Sequence, residues 1–561
     1  MDNTITGILD KANYFVEKVI DEYQDILMNE LNNNIFNLSN IKIIATPFQM
    51  EQLALHNYYD NKIEDILSKI NIPDMKLESN YDIKQLYDLL IENVLSEIKT
   101  NLCKYNKTLI HLGLYNLASY MAELHGRINM IFNNKFEIPN IDKMNTKEFY
   151  ILKLIELAKI YNNNLSIVSA IIGTDKVIIQ HMFSILPTIK FQNSKTISMN
   201  GIKEVYKLVY ILTRLISEKD LVTSKFIRDN IVEIKDNKIV LSKEMIKNIR
   251  NLNTDMLINE RTVDTDYITD DILAKLDRGL QKGVGFSIYT LKRYISNINK
   301  SIKDGDLSTL VDRRVLLTSI SNDTGCSLEE ASNVIEYLSI EEYENNDVKK
   351  SVDRLNKRLF ESPLVELNIS GYKQYLLSYP LLIYSYEVLW KKLVYNLISE
   401  CKTYNSEFID KQIKNELVKN IKKIIDSKGI LGYDNIKKFY VEIEGKRKEI
   451  NLNREIDVLW VKDNTLYLVE CKDIYYKFTG LGFKNDIYSA IKYINIIKKN
   501  EKELLGDKKK YIEKLFETEI FSIKPILVYR RPNAIMNSNI DKRGVDTYTI
   551  QEFKKLIIKE L

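Results

Sequence analysis

The stretch EIDVLWVKDNTLYLVECKD, residues 455–473, constrains the fold more than any other part of the chain. Two segments of alternating apolar and polar residues flank the pair Asp463 and Asn464. Asp and Asn tolerate the positive φ angles that a two-residue hairpin turn requires. The pattern therefore predicts a β-hairpin in which Lys462 pairs with Thr465.

This register decides which side chains share a face of the hairpin. It places Asp457 opposite Glu470, and cross-strand neighbours have Cβ atoms about 4.5–5.5 Å apart. Because side chains alternate along a strand, Lys472 is expected on the same face, opposite Glu455. The residues expected on the other, apolar face are Ile456, Val458, Trp460, Tyr467, Val469 and Cys471.

The clustered charges predict a metal site. Two carboxylates this close repel each other, and in a partly buried place the pKa of at least one rises unless a cation lies between them. Oxygen ligands without nearby His favour Mg²⁺ or Mn²⁺, with a backbone carbonyl and waters completing the coordination. Lys472 could orient or deprotonate an attacking water, or stabilise charge on a phosphate. These groups suit metal-assisted phosphodiester hydrolysis.

An alternative for the same residues is a surface hairpin without catalytic chemistry, in which Glu455 and Lys472 form an ion pair. That alternative has to place Asp457 and Glu470 face to face, where like charges destabilise a sheet.

The elements around the hairpin follow a definite order. We expect a helix over Glu407 to Ser427, ended by Gly429, and a strand at KFYVEIEG before the hairpin. A helix at about Lys484 to Lys499, a buried strand at KPILVYRRP and a final helix from Gln551 follow. The predicted order is α-β-β-β-α-β-α with a mixed sheet.

Asp457, thirteen residues before Glu470-Cys471-Lys472 in this order of elements, resembles the PD-(D/E)XK nuclease superfamily, the restriction-endonuclease-like fold. The resemblance covers about residues 403–561. It implies that Asp457, Glu470 and the carbonyl of Cys471 bind the metal and that Lys472 is the catalytic lysine. Ile456 stands where many members have Pro.

Members of this superfamily also bring residues from neighbouring helices. The resemblance implies a catalytic Glu on the preceding helix, with Glu407 as the first candidate and Glu416 as the second. Some members place a Gln or Lys and a Tyr on the following helix. The residues that this chain offers there are Lys484, Asp486, Lys492 and Tyr493.

The first 400 residues favour a mainly α region, because only 18 Gly and 8 Pro occur in 561 residues and apolar residues recur at helical spacing. Short β-hairpins are predicted near 230–241, around Asp236-Asn237, and near 364–377, around Ser370-Gly371. The first would divide the region near 225–245. We place the boundary with the nuclease-like domain, residues 401–561, in the polar stretch Lys402 to Ser406.

Residues Leu316 to Ile340 resemble a helix-turn-helix, with Ser327 predicted to cap the second helix and Glu330 to complete a capping box. The second segment carries three Glu and no Lys or Arg, which is unfavourable in a DNA groove. An ordinary helical hairpin is therefore the preferred interpretation, and a DNA-binding regulator acting through this segment is the alternative.

Charge and cysteine content indicate a basic nucleic-acid-binding half and a cytoplasmic protein. From Cys401 to Leu561 there are 33 Lys and Arg against 24 Asp and Glu, whereas the preceding residues have 48 against 53. A basic excess suits phosphate binding, although solvated lysine-rich helices produce it too. The four cysteines are far apart, and no secretory leader or membrane span is evident.

The sequence therefore predicts a Mg²⁺-dependent endonuclease acting on DNA, with RNA as a second substrate class and a helical region that senses or targets. The alternative is a catalytically silent nuclease-fold protein that binds nucleic acid or regulates. By analogy, such helical regions are often found in restriction or anti-phage defence proteins, where the helical part senses and the nuclease module cuts. A second copy or a partner protein is expected to bind through the helical region. The expected nucleic-acid contacts are Lys446, Arg447, Lys448, Lys484, Lys492, Arg530 and Arg531.

Overall fold

A computed structural model describes the fold over most of the chain. The described residues are 47–107, 110–111, 113–115, 118–119, 121–123, 176–192, 199–223, 231–241, 270–298, 308–340, 359–369, 372–409, 415–474, 480–530, 533, 535–536 and 540–560. Within these, the side chains of 47–57, 199–204, 221, 270, 368–369, 372, 406–408, 480–484 and 558–560 are not described.

The chain divides into two compact units. The amino-terminal unit comprises Met1–Glu218, Ile231–Leu241 and Asp270–Tyr404. The carboxy-terminal unit comprises Lys219–Asn230, Ser242–Thr269 and Asn405–Leu561. Across the described residues, helices dominate and three separate sheets are present. No helix in the described part of the chain combines the length and the apolarity needed to cross a membrane.

Helices form most of the amino-terminal unit. Its labelled helices are α1 (Pro47–Ile70), α2 (Asn80–Leu102), α3 (Met199–Val222, ending beyond the unit), α4 (Asp270–Val284), α5 (Ile288–Ile298), α6 (Arg313–Thr324), α7 (Leu328–Leu338) and α8 (Tyr379–Val394). Its strands are β1 (Met75–Leu77), β2 (Val232–Lys235), β3 (Lys238–Leu241), β4 (Thr309–Asp312), β5 (Ser339–Ile340), β6 (Leu364–Ile369) and β7 (Tyr372–Leu377). A further helix, α9 (Lys402–Phe408), begins within this unit and ends beyond it.

Both short hairpins expected from the sequence belong to larger sheets. Strands β2 and β3 pair antiparallel across Asp236 and Asn237, which have φ values of 51° and 57°, and β1 pairs with β2. Strands β6 and β7 pair antiparallel within a four-stranded sheet of order β4-β7-β6-β5. The additional strands come from distant segments, so local pattern alone did not reveal them.

Helices α6 and α7 form the helical hairpin that the sequence favours at Leu316 to Ile340. The Ser327 hydroxyl accepts a hydrogen bond from the Glu330 N–H at 3.1 Å, which is the predicted cap. The second half of the capping box is wrong. The Glu330 carboxylate accepts instead from the N–H of Ser287 and the hydroxyl of Thr290, at 3.0 and 2.6 Å, and so joins α7 to the start of α5.

The carboxy-terminal unit contains a five-stranded mixed sheet with helices on both faces. Its further helices are α10 (Asn415–Asp426), α11 (Gly480–Leu505), α12 (Lys509–Phe516) and α13 (Ile550–Glu560). Its strands are β8 (Gly432–Ile443), β9 (Lys446–Lys462), β10 (Thr465–Lys472), β11 (Ser522–Tyr529) and β12 (Asp546–Thr549). The expected order is present, with α12 and β12 as additions.

The helix predicted over Glu407 to Ser427 falls on two described helices. Glu407 belongs to α9, α10 covers Asn415–Asp426, and residues 410–414 lie outside the described part. The helix ends at Asp426, close to Gly429, whose φ of 71° suits glycine.

The sheet has the strand order β12-β11-β10-β9-β8. Strand β9 pairs antiparallel with both β8 and β10, whereas β11 pairs parallel with both β10 and β12. A parallel pair needs a crossover, and α11 and α12 provide it between β10 and β11. The carboxyl end of β10 therefore lies in the middle of the sheet.

Each face of the sheet has its own apolar core. On one face, Ala490, Ile494 and Ile497 of α11 pack with Leu459, Leu468 and Leu527. On the other face, residues of α10 and α13 pack with Val458, Trp460, Val469 and Cys471. Ile456 was predicted on this second face but packs with the α11 cluster, next to the register shift between Ile436 and Lys438 of β8.

Candidate active site

The Asp463-Asn464 turn positions the candidate site, and it adopts the predicted geometry. Both residues have positive φ, 48° and 59°, and Lys462 pairs with Thr465. The antiparallel ladder then continues without a shift to the pair Val458 and Val469. Asp457 and Glu470 are the next residue on each strand, so the turn brings them abreast.

The hydrogen-bond pattern changes at these two residues. If the ladder continued in the same register, the N–H of Cys471 would donate to the carbonyl of Ile456. Instead, this N–H donates to the carboxylate of Asp457, with Oδ2 at 2.6 Å. The bond fixes one oxygen of Asp457 against the end of β10.

Lys472 completes the charged cluster. Its Nζ lies 2.5 Å from Oε1 of Glu470, and the two side chains are 22% and 10% exposed. On the other side, Nζ lies 5.0 Å from the ring centroid of Tyr493 on α11. The ammonium group is thus held between a carboxylate and an aromatic ring, with limited contact with solvent.

The electrostatics of the cluster reflect two carboxylates that lie too close together. Burial, followed by repulsion from Glu470, raises the pKa of Asp457 to about 7. Burial alone would lower the pKa of Lys472, but attraction to Glu470 and Asp457 outweighs it, so that this pKa is raised. A second positive charge at this point would relieve the repulsion.

Cys471 contributes its backbone and not its thiol. The side chain is 8% exposed and packs with Val469 and Trp460 in the core on the α10 side. Burial raises the pKa of the thiol well above its ordinary value, so the sulfur is a poor metal ligand here.

Arg530, predicted as a contact to a nucleic-acid backbone, has a structural role. Its Nε lies 2.6 Å from Oδ2 of Asp473, and the two side chains are 7% and 2% exposed. The backbone N–H of Arg530 also donates to the carbonyl of Lys472 at 3.1 Å. The guanidinium is thus held in a buried ion pair, a role that the sequence did not predict. Its contact with nucleic acid stays a prediction, and Arg531 lies outside the described residues.

The two glutamates predicted as a further catalytic residue lie on helices that precede the sheet in the chain. Glu407 is on α9, but its side chain is not described. Glu416 lies in the first turn of the neighbouring helix, α10. Among the described residues, no group of three or more His, Cys, Asp or Glu forms a metal site. The acidic pair therefore has no described third protein carboxylate.

The predicted nucleic-acid contacts on β9 and α11 are exposed. Lys446, Arg447 and Lys448 begin β9, and the guanidinium of Arg447 lies 4.2 Å from the ring centroid of Tyr440. Lys492 is exposed on α11, and Lys484 lies on the same helix with its side chain outside the described part. None of the four whose side chains are described belongs to the charged cluster itself.

Sequence reasoning missed the pair Asp473 and Arg530 as a support for the site. A signal existed, because Asp473 directly follows Lys472 and Arg530 ends an apolar strand. Recognising the pair would have required the parallel register of β10 and β11, which places Lys472 beside Tyr529.

The donor set of the cluster fits a hard divalent cation in kind. Asp457 and Glu470 supply carboxylate oxygens, burial and then repulsion from Glu470 raise the pKa of Asp457, and no thiol or imidazole points into the described cluster. Mg²⁺ is bound at many sites by only one or two carboxylates together with waters and substrate phosphates. Two carboxylates are therefore sufficient for such a site.

Comparisons with known proteins leave the family open. No family model matches the chain. No curated protein matches it either. Among solved structures, the crystal structure of protein VC1899 from Vibrio cholerae matches at 13% sequence identity, over 51% of this chain and 53% of that chain, with a TM-score of 0.13. The chain spans about half the length of that protein, and a TM-score this low carries no argument.

Proposed function

We propose that the carboxy-terminal unit is a Mg²⁺-dependent nuclease, with Mn²⁺ as an alternative ion, that hydrolyses DNA phosphodiester bonds. The observation that carries the proposal is the cluster of Asp457, Glu470 and Lys472 at the end of a hairpin in the middle of a mixed sheet. Apolar strands on a packed sheet gain nothing in stability from two facing carboxylates. A role in binding a cation explains why they are there.

The arrangement around the cluster supports a restriction-endonuclease-like fold. The hairpin is followed by the crossover of α11 and α12 and a parallel strand, and helices cover both faces of the sheet. This matches the order expected from the resemblance of Asp457 and Glu470-Cys471-Lys472 to that superfamily.

Each residue has a distinct task in this proposal. Asp457 and Glu470 would hold the ion, together with the carbonyl of Cys471. A bound Mg²⁺ supplies Lewis-acid polarisation of the phosphate and a lowered pKa for a bound water. Lys472 stabilises negative charge on a phosphate oxygen, because its ammonium group is already fixed beside the acidic pair by Glu470 and Tyr493.

The test is a cleavage assay with the purified full chain. Supercoiled plasmid, linear duplex DNA, single-stranded DNA and RNA are incubated with Mg²⁺, Mn²⁺ or EDTA. Asp457→Asn, Glu470→Gln and Lys472→Met are each expected to lower the cleavage rate on the order of 10²–10³-fold or more. Glu449→Gln, an exposed carboxylate on the same strand, is the matched control and should cleave like the wild type.

Two results would overturn the proposal. One is cleavage that persists in EDTA or in a folded Asp457→Asn variant. The other is the absence of cleavage of all four substrates by a folded chain that still binds nucleic acid. The second result would identify the chain as the silent nuclease-fold alternative.

A further inference from the structure

A row of lysines runs along the solvent face of α11. One side of the helix carries residues 488, 492, 495, 499 and 502, because their spacing of four, three, four and three follows the helical turn. Three of these five residues are lysines. Lys492, Lys499 and Lys502 are exposed. Ion pairs with other described residues are found for none of these three. We call Lys492, Lys499 and Lys502 the α11 stripe.

The acidic residues of α11 do not neutralise this stripe. Asp486 is only 2% exposed and is turned into the protein. Glu501 pairs with Lys498. Glu503, at the far end of the helix, accepts from the backbone N–H of Asn453 at 3.1 Å. The α11 stripe therefore presents a net positive charge to solvent, with Glu503 as the one acidic residue of α11 that is neither deeply buried nor in an ion pair with a described residue.

The stripe begins next to the candidate active site. Tyr493, whose ring lies 5.0 Å from Nζ of Lys472, directly follows Lys492 in the helix. From Lys492 to Lys502 the helix rises about 15 Å, at about 1.5 Å per residue. A backbone bound along the stripe would therefore lead towards the charged cluster.

A second basic group lies beyond the end of α11, where α12 packs on the hairpin of β8 and β9. Nζ of Lys448 and Nζ of Lys510 lie 5.2 and 5.0 Å from the ring centroid of Tyr511. The Lys448 ammonium also donates to the Tyr511 hydroxyl at 3.3 Å. Both lysines are exposed, so this group adds two positive charges.

We propose that the α11 stripe, continued by Lys448 and Lys510, binds the phosphate backbone of duplex DNA on one side of the cleavage point. This inference rests on the proposed nuclease function. Phosphates of one strand follow each other at about 3.4 Å along a duplex, so about 15 Å of stripe faces roughly four of them.

The shape of the stripe favours a duplex over a single strand. A duplex is stiff, with a persistence length of about 50 nm, and presents its phosphates to a straight row without being reshaped. Single-strand binders typically use successive aromatic side chains on which bases stack. Among the described residues of α11, Tyr488 is the one large exposed aromatic side chain.

The test measures binding of the full chain to a labelled duplex, and to a labelled single strand of the same length, in EDTA and over a range of salt concentrations. The stripe variant carries Lys492→Gln, Lys499→Gln and Lys502→Gln. The matched control carries Lys423→Gln, Lys554→Gln and Lys555→Gln, exposed lysines of α10 and α13 on the other face of the sheet. Both variants lose the same charge.

The stripe variant is expected to bind the duplex roughly tenfold or more weakly at about 0.15 M salt, and its plot of log K against log salt is expected to be shallower by about 2.7. The control should bind like the wild type. Equal effects of the two variants, or tighter binding of a single strand than of the duplex, would overturn the inference. Because EDTA prevents metal-dependent cleavage, a failed cleavage assay would leave this result intact, and a wild-type-like stripe variant would leave the nuclease proposal intact.

Discussion

The guanidinium of Arg530 lies 2.6 Å from the carboxylate of Asp473, one residue beyond Lys472. Both side chains are nearly excluded from solvent, and the backbone N–H of Arg530 also donates to the carbonyl of Lys472. The pair therefore ties the end of β10 to the end of β11 at the edge of the candidate site. An ion pair in such a place is worth more as a positioning device than as a source of stability.

We expect Arg530→Met to destabilise the carboxy-terminal unit strongly, by about 3–5 kcal/mol, because it leaves the buried Asp473 carboxylate without its cation. Urea unfolding followed by Trp fluorescence would measure this loss. The double variant with Asp473→Asn should recover part of it. An unchanged midpoint in Arg530→Met would contradict the buried pair.

Mg²⁺ should raise the melting temperature of the wild-type chain, because a ligand that binds only the folded state stabilises it, by about 2.7 kcal/mol at a concentration of 100 Kd. Asp457→Asn combined with Glu470→Gln should abolish the shift. Differential scanning fluorimetry in EDTA and in increasing Mg²⁺ tests this without relying on cleavage. A shift of equal size in the double variant would place the ion elsewhere.

The raised pKa of Asp457 gives a defined pH dependence in EDTA. A carboxyl with a folded pKa of about 7 and an ordinary pKa of 3.8 binds its proton more tightly in the folded state, so its contribution to stability falls as pH rises between these values. Asp457→Asn should therefore stabilise the chain at pH 8, on the order of 1–3 kcal/mol, and have little effect at pH 4. Unfolding curves across this range test the sign, and a loss of stability at pH 8 would contradict it.

Lys176 provides the opposite case in the amino-terminal unit. Its side chain is buried, with Nζ 4.0 Å from the ring centroid of Tyr384, and burial, assisted by Lys391, lowers its pKa to about 7. The unfolded chain binds the proton more tightly, so this group's contribution to stability increases from pH 7 to about pH 10.

Lys176→Met should accordingly stabilise the chain more at pH 6 than at pH 10, since the variant has no ammonium group to bury. Thermal unfolding at both values tests the difference, and Lys84→Met, at an exposed position on α2, is the control. Equal shifts at the two pH values would show that the pKa of Lys176 is not lowered to about 7.

The sequence was informative about the site wherever geometry is local. Asp463 and Asn464 set a two-residue turn, and alternation along the strands then placed Asp457, Glu470 and Lys472 together. The end of α10 at Asp426 was predicted to within one residue, because Gly429 follows it with the positive φ that suits glycine.

Contacts between distant segments could not be read in the same way. Asp473 and Arg530 are 57 residues apart, and their contact depends on the parallel register of β10 and β11. Glu330 was assigned to its own helix cap but bonds to Ser287, 43 residues earlier, because the start of α5 presents an unpaired N–H nearby. A third metal ligand on a distant segment could not be predicted from local pattern for the same reason.

The turn at Asp463 and Asn464 has a consequence for how the chemistry is encoded. Since neighbouring residues on a strand face opposite ways, one extra residue in β10 just after the turn would move Glu470 and Lys472 beneath α13 and present Val469 to Asp457. All three residues of the candidate site would still be present in the sequence, yet they would no longer share a face of the sheet. The candidate site thus depends on the number of residues between the turn and the acidic pair as much as on their identities.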